Sequence, residues 1–225
     1  MIINFEERLS TSSLVDTIWR GQTESAGYRI APAGGCWAML VERQGNRARL
    51  SVVGPMKKAL PMHYVEDVEF LVIKFKSGTF MPHLPIRNFL DAVVSLPEAA
   101  GTSFWLNGSA WQFPDYENAE TFVDRLTRDG LLVREPVVDA VLQHQPQEMS
   151  SRSVQRRFLY ATGLTHSTIR QIARARQAMS LLQRGTSILD TVHKAGYADQ
   201  PHMTKSLKHF IGQTPAQIVR MSQPE

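Results

Sequence analysis

The sequence predicts an α+β protein in which a small β-rich domain precedes an all-α domain of two helix-turn-helix units joined by a long helix. The spacing of apolar residues becomes helical after Asp115, which predicts domains of residues 1–115 and 116–225. Residues 150–225 carry 11 Lys and Arg against 3 Asp and Glu, net +8, whereas residues 1–149 carry 14 against 18, net −4. This division predicts a polyanion-binding module attached to a domain with another task.

Strands are predicted in the first domain between residues 28 and 75. Residues 37–42 and 47–53 flank Arg43-Gln44-Gly45-Asn46, which has the composition of a hairpin turn. Residues 68–75 predict a further strand. Prolines and glycines punctuate the region at the short intervals that are typical of a small β-rich fold.

The first domain is expected to end with one helix and two aromatic segments. Four apolar residues at spacings of three and four predict an amphipathic helix that ends before Pro97. They are Ile86, Phe89, Leu90 and Val93. Residues 104–106 and 111–113 concentrate aromatic side chains, which we interpret as packing residues because aromatic rings mainly contribute buried area.

The composition argues against several classes of function. Cys36 is the single cysteine, so intrachain disulfides are excluded, and its small neighbours predict a buried strand residue. His63 and His83 lack partners at ligand-like spacing, so we expect no metal and no cofactor. We find no acid pair, nucleophile-base set or phosphate loop, and therefore expect no enzyme. The sequence has no apolar run long enough to span a membrane, and its N-terminus does not resemble a signal peptide. We therefore expect a cytoplasmic, nucleoid-associated protein.

Helical periodicity begins after residue 115. Asp115 can cap a helix that Gly130 closes, and Pro136 can occupy the first turn of the next helix. Ser150 then caps a third helix, which Gly163 ends. The order of helix, short turn and helix predicts a helix-turn-helix unit that presents its second helix to a major groove.

Residues 150–158 predict a short helix with one inward and one outward face. Val154 and Phe158 lie four residues apart on the inward face. The outward face carries Arg152, Gln155 and Arg156, whose side chains match the edges of guanine and adenine. Taken alone, the stretch is explained equally well by a solvated basic helix.

A second unit follows a helix predicted over residues 165–184. Ser187 caps the next helix, Gly196 makes the turn, and Asp199 caps the second reading helix. Five polar residues of that helix should be exposed. They are Gln200, His202, Thr204, Lys205 and Lys208. A final helix follows Thr214-Pro215. Two reading helices on a stiff connector can occupy major-groove segments about 34 Å apart.

Residues 196–208, G-Y-A-D-Q-P-H-M-T-K-S-L-K, are followed by G-Q-T-P at residues 212–215, and together they resemble the DNA-binding signature of the AraC family of transcription regulators. Residues 150–163 are similar to the family's first unit. The resemblance covers residues 117–221 and implies two sets of DNA-binding residues. The first set is Arg152, Ser153, Gln155 and Arg156. The second set is Gln200, Pro201, His202, Thr204 and Lys205.

The resemblance also implies a division of labour between the two reading helices. Pro201 differs from the side chains that bind bases strongly, because it has no side-chain hydrogen-bond donor. Lys205 carries a point charge, whereas an arginine would offer two parallel donors. The first helix is therefore expected to specify more of the operator than the second.

Residues 28–55 resemble the opening of an incomplete cupin-like fold without the metal-binding histidine pattern. This implies a sensor domain that holds any ligand by shape and hydrogen bonds. The expected function is a sequence-specific transcription regulator that responds to a small molecule. The alternatives are a regulator whose first domain only mediates protein association and, less favoured, an enzyme with a DNA-binding appendage. Expected partners are operator DNA, an effector, a second copy of the chain, and RNA polymerase for an activator.

Overall fold

A computed structural model describes residues 3–222 of the chain, and within these residues its strands form one six-stranded antiparallel sheet and three two-stranded ribbons. The strands are β1 Ile3–Leu9, β2 Val15–Thr23, β3 Gly27–Ala31, β4 Ala38–Gln44, β5 Arg47–Val53, β6 Leu60–Tyr64, β7 Val68–Phe75, β8 Thr79–Phe80, β9 Val93–Ser95, β10 Ser103–Leu106, β11 Ser109–Gln112 and β12 Val133–Arg134. The large sheet has the order β1-β2-β7-β4-β5-β9, and the ribbons pair β3 with β6, β8 with β12 and β10 with β11.

The hairpin of β4 and β5 confirms the predicted turn. Gln44 pairs with Arg47, so Gly45 and Asn46 form a two-residue loop. Gly45 has a φ of 56°, a left-handed conformation that glycine adopts without the strain a side chain would add. The predicted strand over residues 68–75 is also confirmed as β7, and alternate residues Leu71, Ile73 and Phe75 are buried in the core.

The helix predicted from Ile86 to Val93 is wrong in its second half. A short 3-10 helix covers Ile86–Phe89, after which Leu90 is extended and Asp91 has a φ of 56°. Val93 then pairs with Val53, so that β9 extends the large sheet beyond β5. A free sheet edge and β-branched side chains outweigh the helical spacing of four apolar residues.

The aromatic segments form the hairpin of β10 and β11, which confirms their packing role. Phe104 and Trp111 are almost fully buried. Their rings lie 6.3 and 6.0 Å from the ring of Phe122, which projects from the following helix. The hairpin therefore attaches the first helix of the chain to the sheet.

The helices of the described residues are α1 Ala119–Arg128, α2 Pro136–Leu142, α3 Ser151–Thr162, α4 His166–Gln183, α5 Ile188–Lys194, α6 Gln200–Phe210 and α7 Pro215–Met221. The predicted caps of α3, α5, α6 and α7 are confirmed, and the start of α4 is capped in the same way, since each cap side chain accepts a backbone amide hydrogen bond. The caps are Ser150, Thr165, Ser187, Asp199 and Thr214.

Two predictions near the edges of elements need correction. Asp115 does not cap α1 directly, because its Oδ1 accepts from the amides of Glu117 and Asn118 in a turn that precedes the helix. Cys36 lies in a bend before β4 and not in a strand. The Cys36 side chain is nevertheless largely buried, and this burial raises the pKa of its thiol.

Two hydrophobic cores occupy the molecule. The first combines the large sheet, the aromatic hairpin, α1, α2 and α3, and includes Phe158 and Ala161 of α3. The second is built from α4 to α7 and includes Ala33, a residue of the β-rich part. Helix α3 therefore packs in the same core as the sheet, whereas α6 packs in the second core.

Candidate nucleic-acid interface

The first helix-turn-helix unit consists of α2 and α3. Pro136 begins α2, and the Glu135 carboxylate caps it by accepting from the Val137 amide at 3.2 Å. The other oxygen of Glu135 accepts from Nε of Arg157 at 2.9 Å. One buried carboxylate thus connects the start of α2 with α3 and helps to fix the angle between them.

The outward face of α3 carries the side chains predicted to read bases. Arg152, Gln155 and Arg156 are exposed, whereas Phe158 on the opposite side is 2% exposed. Ser153 is half-buried, and its hydroxyl accepts from the Ser150 hydroxyl at 3.0 Å, next to the cap. The exposed arginines and glutamine therefore form one continuous polar surface on this helix.

The back of α3 is held by the β-rich part. The ring of Tyr160 meets Phe80 edge-on at 5.2 Å. Gly163 ends the helix with a φ of 70°, as predicted, and a Cβ at this position would lie 3.1 Å from both Ile86 and Leu90. A larger residue would need a left-handed backbone and would also push α3 away from the 3-10 helix.

The connecting helix α4 has 18 residues and spans about 27 Å. It buries the small residues Ala175 and Ala178 in the second core, which permits close helix packing. Arg174 lies over the Tyr197 ring at 4.5 Å and donates to the Gly196 carbonyl at 3.3 Å. Arg174 thus stabilises the turn between α5 and α6.

The junction of α3 and α4 contains a histidine. His166 lies in the first turn of α4 with its ring 5.6 Å from that of Phe158. Burial lowers the pKa of His166, and the positive charges of Arg170 and His144 lower it further. The neutral form of His166 is therefore favoured at this junction.

The second unit consists of α5 and α6. Met203, Leu207 and Phe210 lie at spacings of four and three on one face of α6 and are buried. The predicted DNA-facing residues differ in exposure. Gln200, Pro201, His202 and Lys205 are exposed, whereas Thr204 is half-buried. The ring of His202 also meets Tyr197 at 5.2 Å, so part of this side chain packs against the turn.

Contacts between the second unit and the β-rich part were missed by sequence reasoning. The Ala33 amide donates to the Phe210 carbonyl at 2.7 Å, and the Ala59 amide donates to the His209 carbonyl at 2.8 Å. Arg176 of α4 donates through Nε and Nη2 to the Ala33 carbonyl at 3.0 and 2.7 Å. No local pattern signals these bonds, because they join backbone groups and residues 143 positions apart.

The close approach is possible because Gly212 has no side chain. A Cβ at this position would overlap the side chain of Ile30, and the backbone has a φ of 82°. Gly212, Ala33 and Arg176 therefore help to hold the second helix-turn-helix unit on the β-rich part.

An open groove of about 570 Å³ lies at the β1 end of the large sheet. Its walls include the apolar Phe5 and Phe70 and the charged Arg20 and Glu69. The Arg20 guanidinium lies over the Tyr116 ring at 4.2 Å. Hydrogen bonding to Glu6 raises the pKa of Arg20, so this cation stays charged at the groove.

The family comparison identifies the helical region. A family model described as a helix-turn-helix domain matches residues 147–221. Residues 147–221 therefore belong to a helix-turn-helix domain. This match agrees with the resemblance of residues 117–221 to the DNA-binding domain of the AraC family. In residues 3–222, the helices are all too short or too polar to cross a membrane.

Structural comparison finds similarity to ToxT from Vibrio cholerae. ToxT from strain O395 bound to (E)-4-(8-methylnaphthalen-1-yl)but-3-enoic acid is 11% identical, with a TM-score of 0.43, over 97% of this chain and 99% of that chain. Wild-type ToxT from strain SCE256 bound to an unsaturated fatty acid is 12% identical, with a TM-score of 0.35, over 97% and 94%. Such low TM-scores support no functional argument. No curated protein matches the chain significantly.

Proposed function

We propose that the protein is a sequence-specific transcription regulator whose two reading helices, α3 and α6, enter successive major-groove segments of operator DNA. The observation that carries the proposal is the AraC-type domain, in which both second helices have exposed polar faces. Bases are read in the first segment by Arg152, Gln155 and Arg156, with Ser153 at its edge. The residues assigned to the second segment are Gln200, Pro201, His202, Thr204 and Lys205.

Affinity and specificity come from different groups in this proposal. The net charge of +8 over residues 150–225 favours phosphate contacts, which depend on salt because binding releases counterions. Discrimination comes mainly from α3, since Arg152 and Arg156 can donate two parallel hydrogen bonds to a guanine. On α6, Pro201 has no side-chain donor and Lys205 binds as a point charge.

The β-rich part is proposed to sense a small molecule, with residues 1–115 as the sensor and residues 116–225 as the DNA-binding domain. The groove at β1 supports this role, because its volume falls within the roughly 300–1,000 Å³ of small-molecule sites and it combines aromatic with charged walls. The contacts of Ala33 with α4 and α6 offer a path from sensor to reading helices. The second candidate role is self-association of two chains without an effector.

The test is selection of binding sites from a randomised DNA library with the full chain. The unaltered protein should enrich one operator, and Arg156→Ala should weaken binding by about 1 to 3 kcal/mol and relax the preference at one base pair. Arg128→Ala is the control, because Arg128 is an exposed arginine at the end of α1, which is neither of the two reading helices. Failure to enrich any sequence, or an unchanged preference in Arg156→Ala, would contradict the proposal.

A further inference from the structure

One large apolar side chain stands on the polar face of the first reading helix. Leu159 follows Gln155 by four residues and Arg156 by three, so it lies on the same stripe of α3. It is seven residues from Arg152, which is close to two full turns and about 10 Å along the axis. Leu159 therefore continues the row of base-reading side chains toward the end of the helix.

The core of the protein does not account for this leucine. Phe158 and Ala161 provide the buried side chains of α3, whereas Leu159 is 46% exposed. Its neighbour Tyr160 has a partner in Phe80, as described above. A single exposed leucine is common on protein surfaces, and only its position among Arg152, Gln155 and Arg156 sets Leu159 apart.

We propose that Leu159 is a specificity-determining residue that contacts the 5-methyl group of a thymine in the major groove. This inference rests on the proposed entry of α3 into that groove. The major-groove edge of a thymine presents a methyl group, and apolar side chains recognise it by contact. The exposed leucine loses its contact with water when it meets the methyl group, which favours A·T at that base pair.

The experiment replaces each thymine of the selected operator by uracil, one at a time, which removes the methyl group and leaves base pairing intact. Affinities of the full chain are measured by fluorescence anisotropy at fixed salt. One position should weaken binding of the unaltered protein by about fourfold, the effect expected for one buried methyl-sized group. Leu159→Ala should bind the thymine and uracil operators equally at that position.

Leu189→Ala is the matched control, since Leu189 is a leucine on α5 with 66% exposure. It should keep the fourfold preference for thymine. Circular dichroism should show that both variants unfold at the same temperature as the parent protein, because neither leucine is buried.

Two results overturn the inference. One is that no uracil substitution changes the binding affinity of the unaltered protein. The other is that Leu159→Ala still binds the thymine operator more tightly than the uracil operator. In both, the chain still selects and binds an operator, so the proposed function survives. Failure of the unaltered chain to select any operator would remove the proposed function and this inference together.

Discussion

The two helix-turn-helix units are attached to the β-rich part in different ways. The first unit shares a hydrophobic core with the sheet, through Phe158 and Ala161 of α3. The second has a separate core, which includes Ala33 of the β-rich part, and it forms hydrogen bonds to that part through Ala33, Ala59 and Arg176. Separating the first unit would expose the bulky side chains of a shared core, whereas separating the second would expose smaller apolar contacts at Ala33 and Ile30 and break these hydrogen bonds.

This difference suggests how the distance between the reading helices could be controlled. The sheet fixes α3 by burial, and α4 carries the second unit away from it. Because Ala33 contacts α4 and α6, a change at Ala33 is expected to affect the position of α6 more than that of α3. Such a movement would alter the fit of the two helices to successive groove segments.

The largest effect should come from breaking the shared core. Phe158→Ala removes an almost fully buried ring from the contact between α3 and the sheet, so the free energy of unfolding should fall by about 3 to 5 kcal/mol. Urea unfolding followed by circular dichroism measures the change. Fluorescence of the tryptophans in the β-rich part should report the same midpoint, because the core is shared. A loss confined to the helical signal would contradict a common core.

A smaller effect should come from Arg176→Ala. The substitution removes two donors from the Ala33 carbonyl, which should destabilise the attachment of the second unit by about 1 to 2 kcal/mol, since the arginine is exposed. Hydrogen exchange at the amides of Ala33 and Ala59 should accelerate, while exchange in β7 stays unchanged. Arg184→Ala is the control, because Arg184 donates only to its own helix at Ser180. Unchanged exchange at Ala33 would contradict the proposed attachment.

The smallest effect should be the pH response at the junction of the units. His166 has a lowered pKa in the folded protein, so near pH 6 the unfolded chain binds more protons. The contribution of neutral His166 to the free energy of unfolding is therefore fully present at pH values above about 6.5, the pKa of histidine in the unfolded chain. This contribution is lost as the pH drops below that value. His166→Asn should show a weaker decline of the unfolding midpoint between pH 7.5 and pH 5. An equal decline in both proteins would assign the response to other groups.

The helical half could be predicted well because its signals are local. Ser150, Ser187 and Asp199 accept from amides three residues away, and Phe158 and Met203 follow the period of their helices. Residues of this kind reveal caps and buried faces without knowledge of the fold.

The remaining structure depends on distant partners and could not be predicted. Val93 joins a sheet because Val53 offers a free edge, and no spacing near Val93 records that edge. In the same way, Arg176 lies 143 residues from Ala33 in the sequence, and only folding brings the two residues together. The exposed face of α3 could thus be predicted from the sequence, whereas the contacts that hold α6 could not.

The most direct test of this division compares Arg156→Ala and Lys205→Ala on a panel containing every single base-pair substitution of the selected operator. We expect Arg156→Ala to relax the preference at one base pair, whereas Lys205→Ala should lower affinity about equally for every sequence and reduce the salt dependence by about one counterion. Discrimination that is lost with Lys205→Ala and kept with Arg156→Ala would contradict the division of labour between the two reading helices.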